Sequence, residues 1–166
     1  MKRYVLFIPL ICLWLTSCLD NKEPQYSPEI YVSEIYAWHT DEPQTYDSLS
    51  VWYKDDTYSL DTISVGDTVR FAVLLNAVTN QLTSFSAKAD AGLLDMSFLL
   101  TNEFEEALEE SSDQENGLLN FKVGYSAATV PMQYVALKSG SAKVTLTLST
   151  TSEFSPRTLS FLQPIY

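Results

Sequence analysis

Strict alternation of apolar and polar residues in one segment constrains the fold more than any other feature of the sequence. Val69, Phe71, Val73, Leu75 and Ala77 occupy every second position of this segment. Because successive side chains of a β-strand point to opposite sides, these five share one face. A slip of one residue would expose all of them, so the segment predicts a strand with a fixed register against a buried core.

Other stretches of the chain have the same extended character. Residues 30–38 are rich in β-branched and aromatic residues with apolar positions on both faces, which predicts a two-sided strand or one with a bulge. Pro131 predicts a break or an edge strand. Further strands are predicted at residues 49–53, 58–63, 85–89, 93–100, 119–125, 133–137, 144–148 and 158–162.

One helical signal interrupts this pattern at residues 101–110. Asn102 is the predicted cap, with Glu105 as the returning member of a capping box. Phe104 and Leu108, four residues apart, would then pack on the domain. An acidic, flexible loop is expected to follow as far as Gly117. The sequence therefore predicts an all-β fold, an antiparallel sandwich of about eight strands with one short helix or acidic loop insertion.

Two glycine turns lead directly into alternating strands. Val65-Gly66-Asp67 precedes the strand that begins near Val69, and Ser139-Gly140-Ser141 precedes the strand that contains Val144. These pairs resemble strands of immunoglobulin-like or fibronectin-like modules in bacterial surface proteins. The resemblance implies an immunoglobulin-like β-sandwich, without the cysteine pair of antibody domains.

The first residues have the composition of a secretory signal peptide. Met1-Lys2-Arg3 is basic, and residues 4–14 form an apolar run. That run is too short for a good membrane-spanning helix, which needs about 20 residues. Small residues follow it, as expected before a cleavage site.

The sequence Leu15-Thr16-Ser17-Cys18 resembles the lipobox of bacterial lipoproteins. The resemblance implies cleavage between Ser17 and Cys18 and a diacylglycerol on the Cys18 thiol. Residues 1–17 would then be the signal peptide and residues 18–29 a lipidated cysteine with a polar tether. The β-sandwich domain would occupy residues 30–166.

The residues after the cysteine suggest a destination. Leu19 is not the aspartate that retains lipoproteins on the inner membrane of enteric bacteria, so the resemblance implies the outer membrane. Surface lipoproteins of one group of Gram-negative gut commensals carry an acidic stretch at this place. Asp20 and Glu23 partly match that stretch, and Lys22 interrupts it. A periplasmic and a surface-exposed location both stay open.

The charge balance restricts the partners. The chain has 10 basic and 21 acidic residues. Loss of Lys2 and Arg3 with the signal peptide would leave a net charge of −13. Such a surface repels nucleic acid and anionic lipid headgroups, and it is compatible with neutral glycans, basic proteins or calcium.

Catalytic chemistry finds little support in the sequence. Cys12 would leave with the signal peptide and Cys18 would carry the lipid, so the mature domain would have no free thiol. His39 is the only histidine, which makes a zinc site or a nucleophile–base pair a poor interpretation, and no Gly-x-Ser-x-Gly segment is present. We therefore expect no enzymatic activity, no cofactor and a histidine without a special role.

Calcium is the one cofactor that the sequence leaves open. Carboxylates lie around predicted turns and in a dense acidic segment, and calcium takes six to eight oxygen ligands. No Asp-x-Asp-x-Asp-Gly loop is present, so a solvated acidic face is the simpler interpretation. The acidic residues concerned are Asp55, Asp56, Asp61, Asp67, Glu103, Glu105, Glu106, Glu109, Glu110, Asp113 and Glu115.

Aromatic residues supply the candidate ligand-binding side chains. Trp38, Trp52 and Tyr53, together with Tyr36 and Tyr46, concentrate early in the mature chain. Exposed rings can stack on sugars, whereas buried rings would simply fill the core. Because Trp52 and Tyr53 are adjacent in a strand, at least one of them should face away from the core.

Two functions follow as hypotheses. The first is a lipid-anchored, non-enzymatic envelope protein that acts in protein interaction or assembly. The second is a glycan-binding accessory lipoprotein of a polysaccharide-uptake system. In both, the lipid on Cys18 would attach the protein to the membrane, and nucleic acid is not a partner.

Overall fold

Eleven β-strands and one short helix make up the part of the chain that the structure, a computed structural model, describes: residues 25–42, 45–54, 57–90 and 92–166. The helix is α1 (Asn102–Glu105). The strands are β1 (Glu29–Trp38), β2 (Tyr46–Ser48), β3 (Val51–Lys54), β4 (Thr57–Leu60), β5 (Thr68–Asn76), β6 (Leu82–Ala89), β7 (Leu94–Phe98), β8 (Leu118–Asn120), β9 (Ala127–Ala136), β10 (Gly140–Thr150) and β11 (Arg157–Ile165).

The strands form two sheets that enclose one apolar core. Sheet 1 has the order β2-β1-β5-β9-β7, and sheet 2 has the order β3-β4-β11-β10-β6-β8. The predicted immunoglobulin-like β-sandwich is confirmed. The strands outnumber the predicted eight, and the one described strand that overlaps no predicted segment is β2, which is only three residues long.

One pairing departs from the antiparallel expectation. β4 runs parallel to β11, with Tyr58 opposite Phe161 and Ser59 opposite Leu162. The strands are far apart in sequence, so no tight turn dictates their relative direction. Sheet 2 is therefore mixed, and β11 lies inside it between β4 and β10.

The predicted alternation of buried and outward residues holds throughout β5 and on to Ala77. Val69, Val73, Leu75 and Ala77 are fully buried and Phe71 is 4% exposed. β10, in sheet 2, shows the same alternation, and its inward residues Val144, Leu146 and Leu148 are buried. The register predicted from period-two alternation is the register of the core.

The ambiguous first strand contains a bulge, as one of its two interpretations predicted. The pairing of β1 with β5 shifts between Ser33 and Tyr36, and Glu34 adopts a positive φ of 56°. The extra residue changes which side chains face the core. Beyond the bulge Ile35 and Ala37 are buried, and Tyr36 and Trp38 lie on the outer face of sheet 1.

Two expectations for the middle of the chain were wrong. The predicted strand at residues 119–125 ends at Asn120, because the chain turns at Val123 and Gly124 to pass from sheet 2 to sheet 1. Pro131 marks neither a break nor an edge, since it lies within β9 between β5 and β7. β7 has ended at that level, and the Pro131 carbonyl accepts from the Leu99 amide at 2.9 Å. An amide hydrogen at Pro131 would point to the same side as this carbonyl, so no ladder bond to β5 is lost.

The helix is shorter than the predicted segment of residues 101–110. α1 is a four-residue turn, and its cap is Thr101, whose hydroxyl accepts from the Phe104 amide at 3.3 Å, in place of the expected Asn102. The acidic segment then connects β7 at the edge of sheet 1 to β8 at the edge of sheet 2. Reciprocal backbone bonds of 2.8 Å between Asp113 and Leu118 fold the expected loop into a tight turn. In the part of the chain described, no helix has the length and apolarity needed to cross a bilayer.

Candidate binding surface

The outer faces of the two sheets differ in chemistry. Sheet 2 presents hydroxyls to solvent along β10 and β11, where Thr145 contacts Ser160 at 3.2 Å and Thr147 contacts Thr158 at 3.4 Å. Sheet 1 presents aromatic rings instead. A solvated sheet face is typically polar, so an exposed aromatic face is unusual. The outer face of sheet 1 is therefore the candidate binding surface.

Three rings on β1 and β2 form what we term the aromatic cluster: Tyr36, Trp38 and Tyr46. Tyr36 and Trp38 are two residues apart and so share a face, and Tyr46 is the direct cross-strand partner of Trp38. The Tyr46 centroid lies 5.2 Å from that of Tyr36, at 82°, and 5.3 Å from that of Trp38, at 33°. Tyr46 is 57% exposed, so the cluster is open to solvent.

β5 and β9 supply polar groups beside the aromatic cluster. The Arg70 guanidinium carbon lies 5.0 Å from the centroid of the Trp38 ring, within the range of a cation–π contact. Arg70 Nε also donates to Gln133 Oε1 at 3.2 Å. β1 lies between β2 and β5, so Tyr46 and Arg70 flank Trp38 from opposite sides. The indole ring is therefore held between contacts from both neighbouring strands.

The aromatic face continues along the same strands. Tyr31 on β1 pairs directly with Leu74 on β5, and their side chains are 51% and 42% exposed. Ala72 and Pro131, which are also paired, lie between them and the aromatic cluster. The outer face of sheet 1 thus joins apolar contact area to a few groups that can form hydrogen bonds.

His39 braces the end of β1 beside the aromatic cluster. Its Nδ1 lies 3.1 Å from Asp67 Oδ2 and its Nε2 lies 3.1 Å from Asp47 Oδ2. The Asp67 carboxylate is buried and also accepts from the backbone amides of Thr40 at 3.1 Å and Ser64 at 2.9 Å. No special role was expected for His39, but the structure shows it linking β2 to the turn before β5.

These contacts favour the protonated ring. The hydrogen bond to Asp47, followed by the hydrogen bond to Asp67, raises the pKa of His39 above its usual value of 6.5. Only the imidazolium can donate from both nitrogens at once, which is the arrangement that two carboxylates require. The protonated His39 therefore hydrogen-bonds both Asp47 on β2 and Asp67 in the turn before β5.

Trp52 and Tyr53 belong to a different part of the molecule. They lie on β3 at the edge of sheet 2, and they are 61% and 63% exposed. The Trp52 indole nitrogen donates to Asp61 Oδ1 at 2.7 Å, and the Tyr53 ring packs 4.8 Å from that of Tyr58. Both side chains lie outside the core, and the sequence predicted this for at least one of them. The structure does not bring them together with Trp38, so the three candidates do not form one site.

The members of the surface that the sequence did not single out include Tyr31, Leu74, Arg70 and Gln133. Arg70 and Gln133 are polar residues at outward positions of β5 and β9. Their outward direction followed from the alternation. Their proximity to Trp38 did not, because it depends on the order β1-β5-β9 within sheet 1.

The acidic residues do not converge on a metal site. Within the described ranges, no group of three or more His, Cys, Asp or Glu side chains is arranged to hold an ion. The Asp113 carboxylate instead bonds the backbone and side-chain amides of Asn116, at 3.1 Å and 2.7 Å. Asp55 and Asp56 lie outside the described residues, and so do Ser17, Cys18, the signal peptide and most of the tether.

Comparison with known proteins adds little about partners. No family model matches the chain, and no characterised protein is significantly similar to it. Among solved structures, a chain of the CaDoc0917–CaCohA2 complex is similar over 65% of this chain and 97% of its own, with 15% identity and a TM-score of 0.39. A similarity of this extent does not transfer a binding partner.

Proposed function

We propose that this chain is an outer-membrane lipoprotein whose β-sandwich binds a partner protein of the cell envelope through the outer face of sheet 1, without catalysing a reaction. The observation that carries this proposal is the contrast between the two sheets. Tyr31, Tyr36, Trp38 and Tyr46 gather on one outer face, whereas hydroxyl side chains line the central strands β10 and β11 of the other and the exposed Trp52 lies at its edge on β3.

The chemistry of the face supports a protein partner. Trp, Tyr and Arg are the residues most enriched where protein interfaces concentrate their binding energy. Trp38 and Arg70 are held by their neighbours, so little side-chain entropy remains to be lost on binding. The sequence adds the anchor: the lipobox-like Leu15-Thr16-Ser17-Cys18 would hold the domain next to other envelope proteins.

A glycan is the second candidate ligand, on a separate observation. Arg70 and Gln133 lie next to exposed rings, and this combination of polar groups and aromatic surface also suits sugars. The packing of Trp38 argues against it as the first choice, because stacking on a pyranose needs a free ring face. The Tyr46 ring packs against that ring at a tilt of 33°, and the Arg70 guanidinium lies over it.

Site-specific photocrosslinking in living cells tests the protein partner. A photoreactive phenylalanine derivative at Tyr46 should yield a discrete crosslinked protein. The same derivative at Thr147, on the outer face of sheet 2, is the matched control and should yield none. Arg70→Glu should abolish the product formed from position 46. Equal products from positions 46 and 147, or no product from either, would refute the proposed face.

The glycan alternative and the absence of catalysis have separate tests. Purified residues 19–166 on a glycan array should bind no polysaccharide, and binding that Trp38→Ala removes would establish the second function in place of the first. Incubation with chromogenic ester and glycoside substrates should give no turnover that survives repurification.

The anchor is tested at Cys18. Cys18→Ser should abolish labelling by a fatty-acid probe and leave the precursor uncleaved. Labelling that persists in this variant would exclude the lipobox assignment.

A further inference from the structure

Four segments meet at the end of the sandwich where the described chain begins. We term this end the entry pole: residues 25–28, 77–81, 122–126 and 151–156. Hydrogen bonds join the segments into one surface. The Tyr26 carbonyl accepts from the Ser152 hydroxyl at 2.6 Å, and Thr151 and Gln81 exchange two bonds of 3.0 Å. The Tyr125 carbonyl accepts from the Leu82 amide at 2.7 Å.

The loop tips of the entry pole are apolar and exposed. Val123 is 85% exposed and Phe154 is 55% exposed, and Val78, Tyr125 and Tyr26 are exposed beside them. Val78 has a positive φ of 60°, which is unfavourable for a β-branched residue. The Asn76 side chain holds this turn by accepting from the Val78 amide at 2.9 Å. The turn thus holds the exposed Val78 side chain on a strained backbone.

The four segments of the entry pole carry little charge themselves, although the acidic segment lies beside them, where the Lys122 ammonium donates to the Glu106 carbonyl at 2.7 Å. The loops of the entry pole contain one base, Lys122, and one acid, Glu153. The loops of the opposite pole, residues 39–42, 61–67, 90 and 137–139, contain five carboxylates and one lysine. The loop tips of the entry pole themselves therefore add little repulsion from anionic headgroups.

The length of chain before the entry pole limits where it can lie. Tyr26 comes eight positions after Cys18, and an extended chain over eight residue steps spans at most about 29 Å. Tyr26 is itself fixed to the turn after β10 through Ser152. If Cys18 carries a lipid, the entry pole is the part of the domain closest to the bilayer.

We propose that the entry pole rests on the lipid bilayer, with Phe154, Val123 and Val78 inserted into the interfacial region. Tyr26 and Tyr125 then lie at headgroup depth, where aromatic residues with a polar tip are favoured. This contact adds a second, reversible attachment to the lipid chains. It also sets the strands upright on the membrane and turns the outer face of sheet 1 sideways, toward neighbouring proteins. The inference rests on the anchor assigned under the proposed function.

An environment-sensitive thiol probe tests the contact in the processed, full-length protein. A lipidated Cys18 cannot react, so a cysteine introduced in place of Phe154 is the single labelling site. Leu137→Cys is the matched control, because Leu137 is exposed to a similar degree, 51%, at the opposite pole. Val123→Cys gives an independent second position at the entry pole.

The protein is reconstituted into phosphatidylethanolamine–phosphatidylglycerol vesicles that contain a lipid with a nitroxide on its acyl chain. Probes at positions 154 and 123 should emit at shorter wavelength than the probe at 137, and the nitroxide should quench them alone. Equal emission and equal quenching at all three positions would overturn the proposal.

Failure of the anchor gives a different result. A chain without a lipid would not float with the vesicles, and its Cys18 would itself react with the probe in the parent protein. Flotation without selective quenching therefore refutes the contact of the entry pole alone, whereas loss of flotation refutes the anchor.

Discussion

The phenolic hydroxyl of Tyr134 on β9 donates a hydrogen bond of 2.6 Å to Gln163 Oε1 on β11 and so joins the two sheets inside the core. Both side chains are fully buried. The Gln163 amide nitrogen donates to the carbonyls of Asp61 at 2.8 Å and Pro164 at 2.9 Å. Burial raises the pKa of the Tyr134 hydroxyl, which stays protonated as a donor. The polar group that alternation alone would not place in this core is thus fully satisfied.

Removal of this hydroxyl should destabilise the domain. Tyr134→Phe leaves Gln163 Oε1 buried without a donor, and we expect a loss of about 1–3 kcal/mol in the free energy of unfolding. Urea denaturation of purified residues 19–166 measures it. Tyr166→Phe is the control, because Tyr166 is 74% exposed, and its midpoint should not move. Equal midpoints for the two variants would show that the inter-sheet bond contributes nothing.

Stability should fall as the pH rises through neutrality. The pKa of His39 is higher in the folded state than its usual 6.5, first through the hydrogen bond to Asp47 and then through that to Asp67. The folded state therefore binds the proton more tightly, so the stabilisation is fully present below the unfolded pKa and is lost as the pH passes the folded pKa. We expect the melting temperature to decrease between about pH 6 and about pH 8.

The control for this titration is His39→Gln. His39 is the only histidine in the chain, so no other histidine can produce the same profile. The variant should show a flat melting temperature over this range. A slope that survives the substitution would assign the effect to another group.

Trp52→Phe should change the acidity of a carboxylate. The hydrogen bond from the Trp52 indole, followed by that from the Ser50 backbone amide, lowers the pKa of Asp61 below its usual 3.8. Without the indole donor the pKa of Asp61 should move back up, and a carboxyl-carbon NMR titration measures the shift. Tyr53→Phe, on the neighbouring position of β3, should leave it unchanged. An unaltered pKa in Trp52→Phe would mean that the side chain does not hold this contact in solution.

Gly117 should not tolerate a side chain. Its φ is +72°, and a Cβ atom there would overlap the carbonyl oxygen of Ala87 on β6. Gly92 has a similar φ of +80° with open space around it. Gly92→Ala should therefore cost only the left-handed backbone term, about 1–2 kcal/mol. Gly117→Ala should cost more in thermal unfolding, and equal losses would mean that the acidic turn can move away from β6.

Much of the fold could be predicted from the sequence, because a strand that is buried on one face alternates apolar and polar residues. β5 and β10 were predicted with their register, since a slip would expose several large side chains. Residues 119–125 show the same alternation but do not form one strand, because the chain leaves sheet 2 at Val123 and Gly124. Alternation reports a local preference and carries no information about where the chain changes sheets.

The candidate surface could be predicted from the sequence only in part, for a related reason. Trp38 was singled out as an aromatic residue that could face outward, and its exposure depends on the bulge at Ser33–Tyr36. Its neighbours Tyr46, Arg70 and Gln133 come from three other strands. Sheet order brings them together, and in a sandwich with few local contacts the sequence of a single strand does not specify that order.

The place of β11 has a consequence for how the chain reaches its folded state during synthesis. β11 lies between β4 and β10, and β4 pairs with it in parallel. A nascent chain that lacks residues 157–165 would have β4 and β10 each exposing an unpaired backbone, with no strand made so far to fill the gap. Completion of sheet 2 must therefore wait until residues 157–165 have been made. Until then sheet 2 stays divided into the separate parts β3-β4 and β10-β6-β8.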